Sequence, residues 1–85
     1  MGKEHNVVDI ERNAEEIIRA RITEFRGNHY VDFRIFYLSD EDEYRPTKKG
    51  VTLPVERFGE LESAVVKVRE HLLSEGLLEE EAAEG

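Results

Sequence analysis

The chain has 85 residues, 12 of them basic and 20 acidic for a net charge of −8, and it contains no cysteine. That length suits one domain, since independently folding units run from roughly 50 to 250 residues. The missing cysteines exclude disulfides, thiolate metal sites and cysteine nucleophiles. No apolar run approaches the roughly 20 residues that cross a bilayer, and the opening MGKEHNVVDIERN lacks the apolar stretch of a signal peptide. An intracellular place is expected, in the cytoplasm or nucleoid of a prokaryote or the nucleus of a eukaryote. A domain this small buries only about 60 to 65% of its unfolded surface, so self-association is a natural source of added stability.

Residues 1–17 show no sustained period and are read as a flexible or weakly structured N-terminus. From Ile18 the pattern alternates: Ile18, Ala20 and Ile22 lie on one face, and Arg19, Arg21, Thr23 and Phe25 on the other. Arg26-Gly27-Asn28 supplies turn chemistry, because Gly and Asn tolerate the positive φ of tight hairpins. In the strand that follows, Val31, Phe33 and Ile35 share a face opposite Tyr30, Asp32, Arg34 and Phe36. Ser39–Glu43 reads as a solvated connection. Tyr44–Lys49 is an extended stretch interrupted by Pro46, Gly50 ends it, and Val51–Leu53 forms a further short strand. Pro54 announces a helix, in which Phe58, Leu61, Val65, Val68 and Leu72 make one apolar stripe of about four turns. Gly76 offers a stop, and residues 76–85 form an acidic tail. The fold class is α+β, four strands and then one amphipathic helix, with the core domain over residues 18–75.

Charge is unevenly spread. Residues 19–49 hold seven basic and six acidic groups, and four of those acids are the run Asp40–Glu43. Outside that run the segment has only Glu24 and Asp32 against its seven cations, so a locally positive surface is compatible with an acidic total. Arginines and aromatic rings on a sheet suit the phosphates and bases of a single nucleic-acid strand, although the same residues also pair across ordinary solvated strands. The acidic run lacks the ligand spacing of an EF-hand loop. His5, His29 and His71 are too scattered for a metal site, and no glycine-rich phosphate loop or nucleophile–base pair is present, so neither cofactor, metal nor enzymatic activity is expected. The helical stripe either covers its own sheet or, with Val66, Leu73, Leu77 and Leu78 lying off it, forms a contact between subunits.

Several ordered pieces resemble the positive cofactor four family, the p15-type single-stranded-DNA-binding transcriptional coactivators. Phe25-Arg-Gly27 is similar to its F-K/R-G turn, Val31-Asp-Phe-Arg34 to its I/V-D-I-R strand, and Phe36-Tyr37 to the aromatic pair that follows. Pro46–Leu53 is similar to its P-x-R/K-K-G-I-S/T-L segment, and Phe58 and Leu61 stand where the family has an aromatic and a leucine early in its helix. The resemblance covers about residues 19–72. It implies a homodimer with curved four-stranded antiparallel sheets holding single-stranded or melted DNA, with RNA a second candidate and transcription machinery a further partner. The helix and last strand would supply much of the dimer interface. Phe25 and Tyr37 would stack on bases, and Arg34, Arg45, Lys48 and Lys49 would meet the backbone. Arg21, Arg26 and Asn28 complete the candidate surface. Asn28 replaces the lysine of many members, Tyr37 replaces a tryptophan, and the serine-rich regulatory region of eukaryotic members is absent. The implied role is transcriptional regulation or genome maintenance. The alternative is an acidic module that docks a basic protein partner without binding DNA. A further expectation is that Glu79–Glu81 repels a phosphate track.

Overall fold

The computed structural model describes residues 3–79. Four antiparallel strands, β1 (Lys3–Glu11), β2 (Glu16–Phe25), β3 (Asn28–Leu38) and β4 (Tyr44–Pro54), form one meander in the order β1-β2-β3-β4. A 3₁₀ turn at Val55–Arg57 then leads into helix α1 (Phe58–Ser74). The expected ββββα architecture is present. Two of its strands differ from the sequence reading, and most of the acidic tail, residues 80–85, lies outside the described residues.

Residues 3–11 are a nine-residue strand rather than a loose terminus. Their period was hidden by a bulge between Asn6 and Val8, which shifts Val8 and Ile10 onto the face of Ala20 and Ile18 and leaves Asp9 opposite Arg19. The second difference is that β4 runs unbroken through Gly50. A Cβ at that position would lie 2.6 Å from the Phe33 carbonyl oxygen and 2.9 Å from the Arg34 Cα. Glycine therefore permits a close approach between β3 and β4 instead of terminating a strand.

The β2–β3 hairpin is as tight as its sequence suggests, and its loop has two residues. Phe25 pairs with Asn28, and Arg26 (φ 55°) and Gly27 (φ 80°) both take positive φ, the requirement of a type I′ turn. Arg26 is a costly residue there. Arg26→Asn is expected to stabilise the fold by about 0.5 to 1 kcal/mol, read as a raised thermal midpoint. A lowered midpoint would mean that the stacking of Arg26 on Phe25, at 5.0 Å, outweighs the backbone cost.

At the other end α1 closes as its glycine foretells. Gly76 takes φ 73°, the Leu77 N–H donates to the Leu72 carbonyl at 2.9 Å and the Gly76 N–H to the Leu73 carbonyl at 3.1 Å. This paired arrangement satisfies carbonyls that a helix end otherwise leaves open.

The buried apolar side chains are few: Ile17, Ala20, Val31 and Phe36. No residue of α1 is buried. The helix departs from the sheet at Phe58, which joins Val8, Ala20, Ile22, Val31 and Phe33 along an apolar trough. Val65, Val66 and Val68 face solvent, as do Val8, Ile10 and Val51 on the sheet. Within one chain, then, the helix does not cover the apolar sheet face.

Candidate nucleic-acid interface

The polar sheet face is organised around one carboxylate. In the β2–β3 register Arg21 stands opposite Asp32 and Arg19 opposite Arg34, and in the β3–β4 register Thr52 stands opposite Asp32. Asp32 is only 2% exposed, the most buried polar side chain among the described residues. Its Oδ2 accepts from Arg21 Nη2 at 2.7 Å and Nε at 3.0 Å, and from Arg34 Nε at 3.1 Å. Its Oδ1 accepts from Arg34 Nη2 at 2.8 Å and from the Thr52 hydroxyl at 2.7 Å. Arg34 also donates to the Thr52 hydroxyl and the Thr47 carbonyl, each at 3.2 Å.

Burial by itself would raise the Asp32 pKa. The hydrogen bonds from Arg34, Thr52 and Arg21 more than offset that, and the carboxyl is held at about 2 against an ordinary 3.8. A charged Asp32 thus fixes two guanidinium planes on one face.

A ring supports the same arrangement from below. Phe36, 5% exposed, lies under Arg19 at 4.8 Å and Arg21 at 5.2 Å, and Arg19 also approaches the Tyr44 ring at 5.8 Å. The attraction between cation and ring face helps to hold the two guanidiniums in place.

The remaining candidates fall into separate groups. Phe25, half exposed, Arg26 and Asn28 cluster at the β2–β3 tip. Tyr37 and Arg45 are register partners at the opposite end of β3, roughly 30 Å away at the usual rise per residue. The β2–β3 ladder has no bulge, so Tyr37 belongs to the face of Val31, Phe33 and Ile35, not to that of Arg34. The irregularity in this region lies between β3 and β4, where one residue, Ile35, faces the stretch Thr47–Lys49. There the Thr47 hydroxyl donates to the Ile35 carbonyl at 2.8 Å and accepts from the Lys49 N–H at 3.1 Å, which leaves Lys48 and Lys49 exposed. Arg45 is engaged by Glu41 and Glu43 of the preceding loop.

Sequence reasoning assigned no site role to Asp32 or Thr52 and placed Phe36 only within the general basic-aromatic character of the sheet, not as a support beneath the arginines. The signal available for Asp32 was an acid inside an otherwise apolar and basic strand, two positions from Arg34 and opposite Arg21 once the two-residue turn sets the register. Nor did it foresee that β1 returns acids to the hairpin. Arg19 donates to Asp9 at 2.8 and 3.1 Å, and Arg21 lies 3.2 Å from Glu4. The Arg19 hydrogen bond holds the Asp9 carboxyl below its ordinary value.

A meandering four-stranded antiparallel sheet with an arginine-aromatic face, followed by a trailing helix that does not cover it, defines a class of small ββββα domains. The family described as Transcriptional Coactivator p15 (PC4) matches residues 13–64, more than half of the chain, and the protein belongs to that family. Among solved structures it is similar to a PC4 homologue from Burkholderia pseudomallei, with a TM-score of 0.73 and 24% identity over 80% of this chain and 89% of the other. A second crystal form of that protein gives a TM-score of 0.72 and 23% identity over 81% and 98%. It is also similar to the bacteriophage T5 homologue of the eukaryotic coactivator PC4, implicated in recombination-dependent DNA replication, with a TM-score of 0.66 and 28% identity over 86% of each chain. No curated protein shows a significant match.

Proposed function

We propose that the protein binds single-stranded or melted DNA with little sequence preference, as a homodimer, and acts in transcriptional regulation or genome maintenance. The observation that carries this reading is the guanidinium-aromatic face of Arg19, Arg21, Arg34 and Phe36, flanked by the exposed Phe25 and by Lys48 and Lys49. Family membership supports it, and the implication of the phage relative in recombination-dependent DNA replication supports the genome-maintenance branch.

In this reading Phe25 stacks on a base, worth about 1 to 3 kcal/mol. Arg26, Lys48 and Lys49, which have no carboxylate partner among the described residues, neutralise phosphates. Three neutralised phosphates imply a log–log salt slope of about −2 on a single strand. A fluorescent oligo-dT titrated across a salt series measures both terms. Phe25→Ala is expected to weaken binding about tenfold or more at unchanged slope, whereas Lys48→Ala with Lys49→Ala is expected to flatten the slope. No salt-sensitive binding at micromolar protein would sink the proposal.

The docking of a basic protein partner is kept as a second reading because Arg19, Arg21, Arg34 and Arg45 all have carboxylate partners within the chain. A parent that ignores oligo-dT but retains such a partner through Arg34→Ala with Lys49→Ala would favour it.

A further inference from the structure

The two arginines that lie on Phe36 are each held by a carboxylate of β1, and the acids are on the outside. The Arg19 and Arg21 side chains are 18% and 11% exposed, while their partners Asp9 and Glu4 are 43% and 61% exposed. Asp9 makes a two-pronged contact with Arg19, through Nε at 2.8 Å and Nη2 at 3.1 Å. The planar fork of arginine receives a phosphate in the same two-pronged way. Both acids belong to the outermost strand, in which every described residue is exposed and the ladder slips at Val7. Arg21 keeps its inner partner Asp32 whatever Glu4 does, so losing the outer carboxylate does not release the arginine from the face. On the central face, Arg19, Arg21 and Arg34 are balanced by Glu4, Asp9 and Asp32.

We propose that Glu4 and Asp9 serve as internal stand-ins for phosphate, keeping Arg19 and Arg21 aligned on Phe36 and competing with the backbone of an incoming strand. This rests on the nucleic-acid reading above. The first strand thereby sets affinity: a phosphate gains a guanidinium only by displacing a carboxylate, and removing the carboxylates adds cations to the track.

The test is oligo-dT binding across a salt series for the parent, for Glu4→Gln with Asp9→Asn, and for Glu11→Gln. Glu11 is an acid of the same strand with no cation partner among the described residues, so its variant gives the effect of removing one unpaired charge, against which the two charges of the double variant are scaled. The double variant is expected to bind about tenfold tighter at low salt, with a slope steeper by about 1.4, the value for two further phosphates on a single strand. Adding Arg19→Ala to the double variant should remove about half of the added slope. Thermal melts confirm that each variant is folded. A parent that binds, with a double variant equal to it or to Glu11→Gln, overturns the inference and leaves the proposed function standing. Binding by the double variant alone supports the competition by Glu4 and Asp9 and overturns DNA binding as the function of the parent. Absence of binding in parent and variant overturns both.

Discussion

Replacing Asp32 with asparagine is expected to destabilise the fold by about 3 to 5 kcal/mol, the usual cost of breaking a buried ion pair by removing one partner. Arg21 and Arg34 would both lose the carboxylate that satisfies them, and the amide nitrogen replacing one of its oxygens would face guanidinium donors instead of accepting from them. In a domain whose total stability is of the order of 5 to 15 kcal/mol, that is a large fraction. Chemical denaturation of parent and variant measures it, and a loss below about 1 kcal/mol would show that the network does not hold the sheet. The same carboxylate predicts an acid dependence. Its folded pKa of about 2 lies below the ordinary 3.8, so its contribution is fully present above about pH 4 and is lost as the pH falls through about 2. The shift corresponds to about 2 kcal/mol. Stability measured down the acid limb should therefore fall more steeply in the parent than in Asp32→Asn.

Val65→Asp is expected to convert a dimer into a monomer, raising the dissociation constant about 100-fold or more. Val65 sits mid-stripe on α1 and is 60% exposed in the single chain, with Val68 on the same stripe almost as open. The helix leaves its own sheet at Phe58, while the trough along Val8, Ala20, Ile22, Val31 and Phe33 stays apolar and open. Two apolar surfaces that one short chain cannot bring together are the condition under which a second copy stabilises both. A carboxylate placed in such a contact would be stripped of water without a partner, at a cost of several kcal/mol. Sedimentation of parent and variant decides it. A parent that remains monomeric at its highest soluble concentration would remove the homodimer from the proposed function, and DNA binding would then have to be the work of a single sheet.

In the proposed function, dimerisation and DNA binding would use opposite faces of the sheet. Ile18, Ala20, Ile22, Val31 and Phe33 lie on one side, and Arg19, Arg21, Asp32 and Arg34 on the other, because side chains alternate at every residue of β2 and β3. Tyr37 falls on the first side and Phe36 on the second. The ring that aligns guanidiniums is accordingly buried beneath them, while Phe25 at the hairpin tip and Tyr44 beside Arg19 are exposed rings on the polar face.

The amino-acid sequence by itself determined the elements whose physics is local. Alternation fixed the two faces of β2 and β3, Arg26-Gly27 placed the turn, and hence the register, within one residue, and the stripe from Phe58 to Leu72 with Gly76 beyond it defined α1 and its end. The basic-aromatic character of the hairpin was legible for the same reason. What the tertiary structure decided was everything that depends on a distant partner. A bulge conceals the period of β1, so a strand looked like a loose terminus, and only pairing with β2 reveals that its acids sit beside Arg19 and Arg21. Gly50 looked like a stop until its closeness to Phe33 and Arg34 showed why no side chain fits there. Summing charges along the chain made the hairpin look strongly positive. Folding brings Glu4, Asp9 and Asp32 within ion-pair distance of its arginines, and at such separations a carboxylate acts on a guanidinium whatever the number of residues between them.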